Sequence, residues 1–213
     1  MPRLQEKRAE ETKAAIVAAA KQLFGEKGYE AVTMREIAKE AGCSHTTIYI
    51  YFKDKETLLH HLSVPPLEEL RGRMETAASE PGASAVERMQ KLSRVFIEFC
   101  LGNRGLYGIF FGVNSERVDT ASPSSEINRL RLGLFNLLRR TLGEALGLPD
   151  GERLLACSRI YFYQIHGIAA TYSHSKESAD ALMERLTPTF DEAVAVLMLG
   201  FNALQSNKEV GKQ

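Results

Sequence analysis

The stretch Thr33-Met34-Arg35-Glu36-Ile37-Ala38-Lys39-Glu40-Ala41-Gly42-Cys43-Ser44-His45-Thr46-Thr47-Ile48-Tyr49-Ile50-Tyr51-Phe52-Lys53-Asp54-Lys55 decides how the remainder of the chain is understood. Thr33 followed three residues later by Glu36 has the form of a capping box, in which the hydroxyl accepts an orphan amide and the carboxylate reaches back. Ile37, Ala38 and Ala41 then fall on one face of a short helix. Gly42 is the residue type that turns a chain through left-handed backbone without steric cost. Ser44 can cap a second helix, on which Ile48 and Phe52 face back toward Ile37 and Ala38. Two helices flanking a turn of about three residues make a helix-turn-helix. Its second helix leaves His45, Thr46, Thr47 and Ile50 on the free face, near the end that such helices present to base edges in the major groove. These four are the candidate base readers.

Working outward, apolar residues at helical spacing predict a first helix from about Ala9 to Glu26, with Ile16, Ala20, Leu23 and Phe24 inward and Gly28 just past its end. Lys53-Asp54-Lys55 marks the start of another helix. Pro65 and Pro66 supply no backbone N–H and their rings crowd the preceding turn, so a break or kink and the domain boundary are expected there. The division is 1–60 for a DNA-binding domain and 61–213 for a larger helical domain. Further helices are expected at about 67–79, 84–101, 104–113, 124–146, 151–174, 177–186 and 188–205, with 114–122 as the longest loop. The fold class is all-α: an N-terminal three-helix helix-turn-helix domain followed by a C-terminal helical domain.

Composition bounds the function more loosely. Lys plus Arg and Asp plus Glu both number 27, and residues 1–60 hold ten basic and nine acidic side chains. Bulk charge therefore gives no support to nucleic-acid binding, and any such role rests on where individual donors sit. Cys43, Cys100 and Cys157 are dispersed and lack metal-site spacing, which fits a reducing cytoplasm. No apolar run is long enough to span a bilayer, and the N-terminus has no signal-peptide core. His60-His61 has no matching cluster to complete a metal site. No nucleophile elbow or phosphate-binding glycine loop is present. No catalytic residue, metal or cofactor is expected.

The pattern T-x-x-x-I-A-x-x-A-G, a Ser cap, I-Y-x-Y-F and a trailing D-K closely resembles the DNA-binding signature of the TetR family of bacterial transcription regulators. The resemblance implies that Arg35 reaches a base edge, where a guanidinium pairs bidentately with guanine. It also implies that Thr33, Ser44, Tyr49, Tyr51 and Lys55 contact phosphates, positioning the protein without reading sequence. Thr46 stands where the family often has Gly. Arg3, Lys7 and Arg8 are either an arm on the DNA or a solvated terminus.

In the second domain, Asn103-Arg104-Gly105-Leu106-Tyr107-Gly108-Ile109-Phe110-Phe111 and Tyr163-Gln164-Ile165-His166-Gly167 resemble the TetR subgroup named for a Trp-His-Gly pattern, with Tyr163 in place of the Trp. Phe96, Phe99, Tyr107, Phe110 and Phe111, returning later with Phe135 and Phe162, either line an apolar ligand cavity or form plain core. Gln164 and His166 are candidate polar anchors, His166 equally a satisfied core histidine. Leu154, Leu155, Ile160, Phe190, Val194, Leu197 and Phe201 offer a dimer surface on the last long helices or fill the monomer. The leading expectation is a cytoplasmic homodimeric repressor that binds palindromic double-stranded operator DNA and is released by a small apolar or aromatic effector. The rivals are an activator of the same build, an enzyme or carrier that retains the helix-turn-helix shape, and a protein-interaction scaffold.

Overall fold

The computed structural model describes residues 2–111 and 116–210. Among them every regular element is a helix: α1 (Pro2–Lys27), α2 (Met34–Glu40), α3 (His45–Tyr51), α4 (Lys55–Ala78), α5 (Ala85–Gly102), α6 (Arg104–Phe111), α7 (Glu126–Leu146), α8 (Glu152–Thr171) and α9 (Ala179–Val210). Local chemistry sets most boundaries. Thr33 accepts the Glu36 amide while the Glu36 carboxylate accepts the Thr33 amide, and Ser84 and Glu87 repeat that exchange at α5. Asp54 and Ser125 cap α4 and α7. Gly42, at φ +67°, forms the turn between α2 and α3 that a β-carbon would strain.

Three expectations need correction. α1 begins at Pro2, not near Ala9. The stretch from Gln5 to Arg8 consists of good helix formers that extend the helix before any apolar face begins. Lys7 and Arg8 therefore belong to a helix rather than to an extended arm; the Arg3 side chain lies outside the described residues. Next, α4 runs through Pro65 and Pro66 without a break. An interior proline costs a helix about 3 kcal/mol, yet Leu62, Ser63, Val64, Leu67 and Leu70 around the pair are all buried. Tertiary packing on both sides of the prolines outweighs the lost backbone bonds. For the same reason α9 continues through Pro188, flanked by buried Leu182 and Phe190, where two helices are expected from sequence. Residues 116–125 form a helix-free connection before α7, and positions 114 and 115 of the expected loop lie outside the described residues.

Two hydrophobic cores result. The first joins Ile16, Ala20 and Phe24 of α1 to Ile37, Ile48, Phe52, Leu58 and Leu62. The second begins at Val64 and gathers α4 through α9. The change from one core to the other thus occurs along a single helix, α4. A second bridge is α6, whose Ile109 packs against both cores. There α1 and α6 cross so closely that a β-carbon on Gly25 would stand 2.8 Å from the Gly105 Cα and 2.9 Å from its carbonyl oxygen. Within the second core, Arg94 pairs in bidentate fashion with Asp191, tying α5 to α9. Tyr161 and Ser93 share a buried 2.6 Å hydrogen bond between α8 and α5.

Candidate functional site

The helix-turn-helix builds its outer face by committing its apolar side chains inward. Ile37, Ala38, Ile48 and Phe52 are buried, which leaves Thr33, Arg35, Ser44, His45 and Thr46 exposed. Ile50 is 76% exposed, high for an aliphatic side chain on a well-packed helix. Tyr49 is also exposed and packs edge-on against His45, the ring centres 5.1 Å apart. Thr47 is half-buried: the Ser44 hydroxyl accepts its backbone amide at 3.0 Å and shares a 2.7 Å bond with its hydroxyl. Tyr51 is half-buried against the first core. Thr33, Arg35, Lys39, Cys43 and His45 line one shallow hollow between α2 and α3.

Lys55 is placed differently from the other phosphate candidates. Its ammonium donates to the carbonyls of Tyr29 at 2.9 Å and Val32 at 3.0 Å, with Glu30 at 3.5 Å. It also lies 4.3 Å from the centre of the Tyr29 ring. The ammonium thus fastens the α1–α2 connection from α4, and its donors are engaged inside the domain. Lys39, which sequence reasoning passed over, is exposed one turn beyond Arg35 on the same face. The spacing of four on α2 was the available signal.

Charge around this face is ordered by capping. The backbone and side chain of Thr33 hold the Glu36 carboxyl below its usual range, with Lys27 adding a bond at 3.2 Å. The Thr57 amide does the same for Asp54. Glu36 and Asp54 are therefore engaged in holding helix starts. His60 and His61 diverge, as expected for neighbours on a helix. His60 lies 2.5 Å from Glu126, whereas His61 packs on Phe52.

In the second domain the aromatic side chains divide into separate groups. Phe99 and Phe110 stack at 5.7 Å as core. Phe96, Phe111, Phe135 and Phe162 meet around Arg131, together with Met74, Leu134, Leu138 and Ile165. The space they leave is about 10 Å³, at the lower limit for holding one water. Of the two readings left open, cavity lining or plain core, the rings here fill the interior. Tyr107 donates to the His166 carbonyl at 3.1 Å, and His166 Nε2 lies 3.1 Å from the Phe111 carbonyl. Tyr107 also borders an open groove of about 550 Å³ between α1 and α6, shared with Gly25, Tyr29 and Arg104. Gln164 is exposed on α8 and does not border the Phe cluster. Sequence reasoning missed Arg131, which sits at a core position of α7 and is only 5% exposed.

The expected dimer residues also divide. Leu154, Phe190, Val194 and Phe201 are buried within the monomer, because their faces of α8 and α9 pack on α5 and α7. Leu155 and Leu197 are half-buried. The outward faces carry Ile160 and Tyr163 on α8 and Val196, Leu199 and Leu204 on α9, all exposed.

A model of the tetR family of bacterial regulatory proteins matches residues 16–62, which run from the core face of α1 to the first turns of α4. The fatty acid metabolism regulator protein of Bacillus subtilis is 30% identical over 137 residues, covering 64% of this chain and 68% of that protein. The chain belongs to the TetR family. It is a DNA-binding transcriptional regulator and, like its relatives, not an enzyme. Solved TetR-like structures share the fold well beyond the helix-turn-helix. The ketosteroid transcriptional regulator KstR2 of Mycobacterium tuberculosis superposes with a TM-score of 0.68 at 19% identity, covering 88% of this chain and 93% of that one. The regulator FadR of Bacillus subtilis, in complex with stearoyl-CoA, gives 0.62 at 24% identity, covering 85% and 96%. Among the described residues no helix is long and apolar enough to cross a membrane, and no cluster of His, Cys, Asp or Glu could hold a metal.

Proposed function

We propose that this TetR-family chain is a homodimeric repressor that binds a palindromic operator and releases it when a small apolar effector enters the second core. The observation that carries the reading is the exposed face of α3. His45, Thr46 and Ile50 stand clear of a closed core, exposed together on one short helix. On DNA that isoleucine has a fitting partner in a thymine methyl group, while Arg35 offers a fork to guanine. Thr33, Ser44, Tyr49, Tyr51 and Lys39 supply phosphate contacts. Lys55 contributes its backbone amide at the start of α4 rather than its ammonium.

Two recognition helices read adjacent major grooves only when a dimer holds them about one helical turn of DNA apart. The outward apolar faces of α8 and α9 are the surface for that pairing. A twofold contact makes the operator palindromic. Because α4 contributes to both cores, an effector that wedges the second core apart shifts α4 and with it the helix-turn-helix. It weakens DNA binding only by favouring the conformation with the wrong spacing. The stearoyl-CoA bound by FadR, a protein of the same fold, supports an effector with a large apolar part.

Selection of bound duplexes from a random DNA library tests the reading. Enrichment of one palindrome, bound by two chains, is the expected result. Failure to enrich any sequence at low salt overturns it.

A further inference from the structure

Arg131 lies on α7 with only 5% of its surface exposed, among Phe96, Phe111, Phe135 and Phe162. Its guanidinium is 5.9 Å from the centre of the Phe111 ring. The described residues give it one hydrogen bond, from Nη1 to the Asn128 side-chain oxygen at 2.8 Å. Nε is buried and has no acceptor among the described residues. Glu116, whose charge acts on Arg131 from a distance, accepts the Ser124 backbone amide, and no ion pair to Arg131 forms within 4.0 Å among the described residues. Burial lowers the Arg131 pKa to about 10, with Glu116 only partly opposing.

A cation buried without a paired anion is unfavourable for stability, and replacing such a group with an apolar one of similar size is often neutral or stabilising. Of the other buried polar side chains, Ser93, Thr141 and Ser158 donate to carbonyls of their own helices, whereas the Ser63 hydroxyl on α4 has no partner among the described residues. Among the described residues Arg131 is the charged side chain that is buried, and it borders the void among the Phe rings. The Nη1 bond to Asn128 orients the fork and leaves the Nε side for a second pair of donors, the geometry that binds a carboxylate through both oxygens.

We infer that the effector of this regulator is an apolar carboxylate whose head group pairs with Arg131 while its body displaces Phe162 and Met74 to open the Phe cluster. Phe162 is only half-buried and Met74 is the most adaptable side chain of the wall. Head group and body enter together: the carboxylate pairs with the guanidinium as the body displaces Phe162 and Met74, which makes the room that the closed interior lacks. The inference rests on the effector-responsive reading above, and it names the chemistry of the ligand.

Calorimetric titration of the full-length protein with two matched pairs tests it: dodecanoate against 1-dodecanol, and 4-phenylbutyrate against 4-phenyl-1-butanol. At least one carboxylate should bind tenfold or more tightly than its alcohol, and the pair that shows it separates an alkyl from an aryl body. Arg131→Met should abolish that preference. The unliganded variant should also melt at or above the wild-type temperature, since it loses an unpaired buried charge. If no carboxylate outbinds its alcohol, including the case in which neither binds, the inference is overturned. It is equally overturned if Arg131→Met keeps the preference or melts lower, because the arginine is then structural. Wild-type operator binding, measured on the same preparation, separates this failure from failure of the regulator reading.

Discussion

At Lys55 and Arg35 two cations of the same domain have opposite surroundings, and the difference predicts opposite phenotypes. The Lys55 ammonium holds the carbonyls of Tyr29 and Val32, so Lys55→Met should lower stability to urea by about 1–3 kcal/mol, the range for unpairing charge-assisted bonds. The salt dependence of operator binding should stay as in wild type, because no phosphate contact of the ammonium is lost. Arg35 is exposed and makes no comparable bond among the described residues. Arg35→Ala should leave the urea midpoint unchanged and relax preference at one base position, costing about 1–3 kcal/mol for the specific site. Denaturation and salt titration on the two variants check both halves.

Two contacts between elements make further predictions. A methyl group at position 25 has no room beside the Gly105 backbone, and backbone cannot move aside as a flexible side chain does. Gly25→Ala should therefore part α1 from α6 and cost about 1–3 kcal/mol, the usual penalty of overpacking. Melting temperature and operator affinity would both register it, since α1 carries the first core. The connection before α7 is pinned differently. Asp119 accepts from Arg117 and from Arg159 of α8, and these arginines, the Arg117 bond foremost, hold its carboxyl down to about 2. A carboxyl depressed on folding contributes stability that is complete above its ordinary value near 3.8 and lost as pH falls through about 2. Wild type should exceed Asp119→Asn in stability above about pH 4, and the two curves should converge as pH approaches 2, as read by denaturation at a series of pH values.

At the scale of the whole molecule, the buried and exposed faces of α8 and α9 let folding and the proposed dimerisation be tested separately. Phe190→Ala opens a cavity in the monomer core and should cost about 3–5 kcal/mol. Leu199→Glu and Tyr163→Glu touch only exposed positions and should preserve the helical melt while converting a dimer to a monomer in sedimentation. Under the proposed palindromic reading, operator affinity should fall with these two outward variants, because one chain then reads half the site. A dimer that survives both outward substitutions would move the interface elsewhere.

The helix-turn-helix was legible in the chain because its determinants are local. Thr33 with Glu36, Gly42 at positive φ, the Ser44 cap, and the apolar spacing of Ile37, Ala38, Ile48 and Phe52 all act within a few residues, and the structure places them as that spacing requires. Helix type and approximate extent elsewhere followed from the same short-range periodicity. What sequence could not decide was where competition ran between local preference and distant packing. Pro65, Pro66 and Pro188 are breakers by local rule, but the buried neighbours on either side keep α4 and α9 continuous. Periodicity marks Phe190 and Leu199 alike as apolar. Only the third dimension tells which one faces the core of its own chain. Lys55 and Arg131 make the same point for charge: a cation's role depends on which carbonyls, rings or carboxylates the fold brings beside it, and those partners come from elements tens of residues away.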